Sequence, residues 1–232
     1  MSPVVNSSTG AKRKLLAFAL PMLLFILLLG IDSGLKTPGA TFSRAAPEFW
    51  IYPLQTLLCA ALLIFFRREY ELHSLRRPIF TILIALLVFV LWIAPQQLFG
   101  FPPRLVGFDP DLLAGSPGLY WSTLFLRFVR LAVVVPLVEE IFWRGFLLRY
   151  LIAERFETVS FGTFSWLSFS VVTVAFCFSH SRPDWPAALL TGALYNVVAY
   201  RTKSLSSCIL AHGLTNLALG LWIVTTKEWG FW

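Results

Sequence analysis

The sequence predicts an all-α protein, a polytopic bundle of about seven transmembrane helices. Three observations carry this expectation. Of 232 residues, 57% are hydrophobic. Only 13% are charged, against about 25% in an ordinary soluble domain. The apolar residues also gather into runs of about 17 to 22, the length a helix needs to cross a bilayer core. The same figures argue against a disordered chain, a nucleic-acid-binding module and a soluble enzyme. The formal net charge of +7 has a membrane reading, since Lys and Arg collect in cytoplasmic loops. It does not require nucleic acid as a partner.

The elements follow in order. Residues 1–14 are a polar N-terminal segment, the first ten of them expected to be irregular, closing on Lys12, Arg13 and Lys14. The apolar run 15–31 resembles a signal peptide, but it is long and no small-x-small site follows, so it is expected to stay as the first helix. The second and third runs cover 49–66 and 79–99, with four arginines between them. Residues 100–118 are rich in Pro and Gly and read as a loop, which ends an N-terminal membrane part over 15–118. A helical core is expected over 119–226. Its first helix, 119–153, is too long for one span, and Pro136 is expected to kink it. Runs at 161–179, 185–200 and 205–226 complete the core, and 227–232 form a short tail.

Basic residues orient the chain. With the N-terminus inside, the inner segments hold eleven Lys or Arg and the outer segments five, which predicts a cytoplasmic N-terminus. Cys59, Cys177 and Cys208 all lie in apolar runs, where they read as packing residues and not as a disulfide framework.

Ionisable groups inside apolar helices cost about 2.5–3.5 kcal/mol each, so those present are functional candidates. Three clusters qualify. In Glu139-Glu140-Ile141-Phe142-Trp143-Arg144, Glu140 and Arg144 are four apart and share a helix face, which predicts a local ion pair. Glu139 is rotated about 100° away from Glu140 and is harder to neutralise, which suits a general base or acid. His180 ends the fifth run, with Phe176 one turn earlier. His212 and Asn216, four apart in the seventh run, point into one space and suit oxyanion stabilisation. Taken singly, each cluster has an ordinary account: an ion pair that fixes packing, an interfacial histidine bonded to backbone, or interhelical hydrogen bonding. Together, on three helices, they match water-mediated hydrolysis. Ideal helices with these bounds do not bring the clusters to one depth, so helices must tilt, break or re-enter around a cavity.

The ordered set Glu139-Glu140-x-x-x-Arg144, Phe176-x-x-x-His180 and His212-x-x-x-Asn216 resembles the CAAX-protease and bacteriocin-processing family of metal-independent intramembrane glutamate proteases. The flanks 139–148, 200–205 and 208–216 are similar as well, and the resemblance covers 119–226. Trp143 stands where the family often has Phe. The resemblance implies a helical bundle of about eight spans with a cavity open to one membrane face. It implies Glu139 as the water-activating base with His180, His212 and Asn216 as the oxyanion hole, and Glu140 and Arg144 as organisers of the site. It implies a peptide or protein substrate at the bilayer, no cofactor, and a place in a bacterial inner membrane. A subset of the family accompanies exosortase sorting systems, and no residue assigns this chain to it.

Other readings stay open. A membrane scaffold or immunity protein would use the same fold without catalysis. A proton-coupled transporter would use buried Glu and His as relays, although no duplicated halves are evident. A zinc peptidase would lack the usual His-Glu-x-x-His. A cysteine protease would need Cys208, in apolar surroundings that disfavour its thiolate.

Overall fold

The structure, a computed structural model, describes residues 5–72, 74–105 and 107–232. The seven apolar runs are all helical: α1 (Val5–Leu35), α2 (Glu48–Phe65), α3 (Pro78–Leu98), α4 (Pro117–Tyr150), α5 (Trp166–Phe178), α6 (Trp185–Thr202) and α7 (Leu205–Thr226). No strand occurs among the described residues. Five helices are long and apolar enough to cross a membrane: α1 from Gly10 onward, α2, α3, α4 and α7. The shorter α5 has 13 residues.

Three expectations need correction. Helix α1 begins at Val5, so residues 5–10 are helical and not irregular, while residues 1–4 lie outside the described part. Helix α5 begins at Trp166, five residues later than expected, after a non-helical stretch. Pro136 does not simply kink α4. Two π-helical segments, Arg130–Val134 and Ile141–Leu147, flank Val135–Glu140. In the first, the Val135 N–H bonds to the Arg130 carbonyl five residues back. The next amide in that ladder belongs to Pro136, which has no N–H. The Leu131 carbonyl is left free, and the Asn216 side-chain amide donates to it at 2.9 Å. A similar repair occurs in α1, where Pro21 cannot bond to the Ala17 carbonyl and the Tyr70 hydroxyl donates to it instead.

Helix α4 packs against α1, α2 and α7, α3 packs against α6 and α7, and α5 packs against α6. Close approach of α7 to α4 depends on Gly213: a Cβ there would lie 2.7 Å from the Ala132 carbonyl oxygen.

The connections separate into two ends, as seven alternating helices predict. At one end Arg13 pairs with Glu69, and Lys14 and Arg149 both pair with Glu71. There the hydroxyls of Ser204 and Ser207 donate to the carbonyls of Ser74 and Arg76. At the other end Arg104 pairs with Asp184, Lys227 with Asp111 and Lys36 with Glu48. The first is the basic end, and the second carries the cavity mouth.

Candidate active site

The side chains singled out in the sequence meet at one cavity. Glu139, His180, His212 and Asn216 all line a space of about 230 Å³. Residues of the mouth end, Asp184, Phe231 and Trp232, line it too, so it opens away from the basic end. The depth conflict resolves through the shortness of α5. Its 13 residues rise about 20 Å, less than a full span, and the half-buried His180 stands at the mouth-side end of that short helix, where it lines the cavity.

Phe176 ties the two histidines together. Its ring centroid lies 4.8 Å from that of His180 and 6.5 Å from that of His212. Their hydrogen bonds assign the tautomers. His180 Nδ1 is 2.8 Å from the Phe176 carbonyl oxygen, which can only accept, so Nδ1 carries a proton. The Nε2 lone pair of a neutral His180 is then free. Trp185 Nε1 donates to the His180 carbonyl and fixes the turn into α6.

The adjacent carboxylates have opposite surroundings. Glu140 is fully buried; its Oε1 accepts from Arg144 Nη1 at 2.9 Å and lies 2.9 Å from His212 Nδ1. The predicted local ion pair is therefore present, and it extends across helices. Arg144 also donates to the Asn196 side chain and the Gly192 carbonyl on α6. Its guanidinium stacks over the rings of Phe176 and Tyr195. Oε2 of each carboxylate is buried without a hydrogen-bond partner. The difference is that Glu140 Oε1 takes both the arginine and the histidine, whereas among the described residues no side chain bonds to either oxygen of the buried Glu139. That is the arrangement expected of a group kept free for reaction.

His212 stacks against Tyr195, with centroids 5.2 Å apart. A ring that gives its Nδ1 proton to Glu140 can donate through Nε2 only as the imidazolium. Glu140 is the group placed to compensate that charge. Asn216 uses one amide hydrogen on Leu131, which leaves the second available.

Sequence reading missed Asn196, Gly192 and Tyr195. A signal exists, because Thr191, Tyr195 and Asn196 are polar residues four or five apart in an apolar run and all face inward on α6. Arg127 and Arg130 lie outside the three sequence clusters. Both are buried and line the cavity. Among the described residues, no group of three His, Cys, Asp or Glu is placed to hold a metal ion. Cys208, buried on α7, does not line the cavity.

No curated protein and no solved structure matches the chain. A family model does, over residues 121–218, described as type II CAAX prenyl endopeptidase Rce1-like. The matched segment contains Glu139, Glu140, Arg144, His180, His212 and Asn216, and ends within α7. Residues 121–218 of this integral membrane protein are thus similar to the Rce1-like family of type II CAAX prenyl endopeptidases.

Proposed function

We propose that the protein hydrolyses a peptide bond at the membrane with a water activated by Glu139 and His180. The observation that supports this most is the unpartnered Glu139 carboxylate, buried in one cavity with two histidines whose Nδ1 atoms are already committed. Glu139 takes a proton from the water as its oxygen bonds to the scissile carbonyl carbon. His180 Nε2 accepts a hydrogen bond from the same water and orients it. The carbonyl oxygen becomes the oxyanion, and His212 Nε2–H and the free Asn216 N–H donate to it. The C–N bond then breaks as the proton held by Glu139 passes to the departing amine. A carboxylic acid and an amine are released.

Glu140 and Arg144 hold His212 and take no part in proton transfer. The scheme uses no metal ion, so full activity is expected in a strong chelator. Loss that zinc restores would replace it with a zinc peptidase. We place the protein in a bacterial inner membrane with the basic end cytoplasmic, following the eleven-to-five bias of Lys and Arg. The cavity then opens on the opposite side.

One second reading has an observation behind it. Asn216 on Leu131 and His212 on Glu140 are both interhelical bonds, as a scaffold or immunity protein would keep. Glu139→Gln separates the two. Under the peptidase reading, processing of a co-expressed membrane substrate stops while the protein stays folded in the membrane. Undiminished processing or immunity in that variant would favour the scaffold.

A further inference from the structure

Arg127 and Arg130 are three apart on α4, on one face, and both border the cavity that holds Glu139. Arg127 is 5% exposed and Arg130 7%, which excludes snorkelling to bulk water. Arg127 is caged by Tyr52, Phe108 and Trp232, whose ring centroids lie 4.8 to 5.5 Å from its guanidinium carbon. Tyr52 also engages the guanidinium through its hydroxyl, but Nε and Nη1 are buried with no hydrogen-bond partner. Arg130 shares the Tyr52 ring at 4.2 Å and is aimed by Gln55, whose Oε1 accepts from Arg130 Nε at 2.8 Å. Gln55 is itself anchored on the Phe25 carbonyl. Among the described residues neither arginine makes an ion pair. Asp32, Glu48 and Glu139 are near enough to offset part of the arginines' charge through space, but none of them bonds to either guanidinium, and two buried cations side by side still repel each other. A fold that positions both so firmly, with donor hydrogens unspent, is preorganised for an anion that arrives from outside. Guanidinium forks match carboxylates in particular.

We propose that Arg127 and Arg130 form a carboxylate-binding subsite on the mouth side of Glu139, which seats an anionic group of the peptide. The inference rests on the peptidase reading and adds to it the chemistry of the substrate. The carboxylate comes either from the chain terminus or from an acidic side chain. Its seating would hold the backbone in register with the reacting carbonyl.

The test is a titration of the full-length protein in detergent micelles, by calorimetry, with three probes. These are acetyl-Ala-Leu-Phe as the free acid, the same tripeptide as its C-terminal amide, and the amide of acetyl-Asp-Leu-Phe. The free acid is expected to bind about 10- to 100-fold more tightly than its amide, the range set by hydrogen bonds to a charged group. Equal tightness of the Asp probe would assign the subsite to an acidic side chain, and amide-like weakness would assign it to the terminus. Arg127→Gln should remove the preference, and Arg127→Lys, which keeps the charge but not the fork, should retain part of it. The wild-type comparison decides even where a variant fails to fold. Equal binding of all three probes, or no binding of any, overturns the subsite. Binding is read apart from turnover. A protein that prefers the acid yet cleaves no peptide loses the proteolytic reading, whereas one that cleaves without preference loses only the subsite.

Discussion

The cavity has two unlike walls. On one, Glu140, Arg144, His212, Asn196 and the Gly192 carbonyl form a nearly closed set of hydrogen bonds across α4, α6 and α7. On the other, Glu139 bonds to no side chain among the described residues and Arg127 keeps Nε and Nη1 without partners, although Glu140 Oε2 on the first wall is left over as well. Both walls place charge where a bilayer makes it costly. The first spends its hydrogen-bonding capacity internally and so holds geometry. The second leaves capacity unspent and so is available to water and substrate. Glu139 and Glu140 adjoin in the chain, so this contrast comes from the helix turn between them and from which neighbour each meets.

Damage to the closed wall should appear first as lost stability. Arg144→Met leaves Glu140 buried beside His212 without its arginine, a change expected to cost about 3–5 kcal/mol. Thermal unfolding in detergent should show a large fall in Tm or no folded protein. Asn216 belongs to both walls. Asn216→Ala is expected to lower turnover about 10²- to 10³-fold and, by uncovering the Leu131 carbonyl, to cost about 1–3 kcal/mol of stability. Rate measurements beside unfolding curves separate the two losses.

The joint between the walls can be strained without touching a polar group. Gly213→Ala would press a methyl against the Ala132 carbonyl at the π-helical turn. A destabilisation of about 1–3 kcal/mol is expected, with turnover reduced because Asn216 moves with α7. An unchanged Tm and rate would mean that α4 and α7 are less tightly coupled than the geometry implies.

The smallest effect lies at the basic end, far from the cavity. Burial pushes the Glu71 carboxyl up, but hydrogen bonds and charge from Lys14 and Arg149 outweigh it and hold the group below the usual carboxylate range. A carboxyl lowered in the folded state adds stability above the unfolded value of about 4.3. That stability is lost as pH falls through the folded value. Glu71 is about one third exposed, so the contribution is modest. The Tm difference between wild type and Glu71→Gln should therefore be small at neutral pH and vanish on acidification, with activity at neutral pH unaffected.

Much of this was legible in the sequence. Runs of apolar residues located seven helices, because hydropathy reads length directly. The alternation of seven runs divided the loops between two ends. The four-residue spacing of Glu140 and Arg144 implied their pair, since helix geometry is local. Other features depend on contacts between distant segments. The π-helical turns of α4 shift its register around Pro136, and no periodicity announces them. Asn196 enters the Arg144 network only because α6 crosses that face of α4. The depth of His180 depends on a five-residue delay in the start of α5, through a stretch that looks as apolar as a helix. The cage around Arg127 forms only because Phe108, from the loop before α4, and Trp232, from the C-terminal tail, close over it.

The contrast between Glu139 and Glu140 is tested most directly by neutralising each in turn and measuring peptide hydrolysis and thermal unfolding on the same preparations. Glu139→Gln is expected to abolish hydrolysis, a loss of about 10²- to 10⁴-fold or more, with Tm close to wild type. Glu140→Gln is expected to lower Tm first, with activity falling as His212 loses its anchor. Hydrolysis that persists in a folded Glu139→Gln protein, or two variants that behave alike in both measurements, would contradict the account.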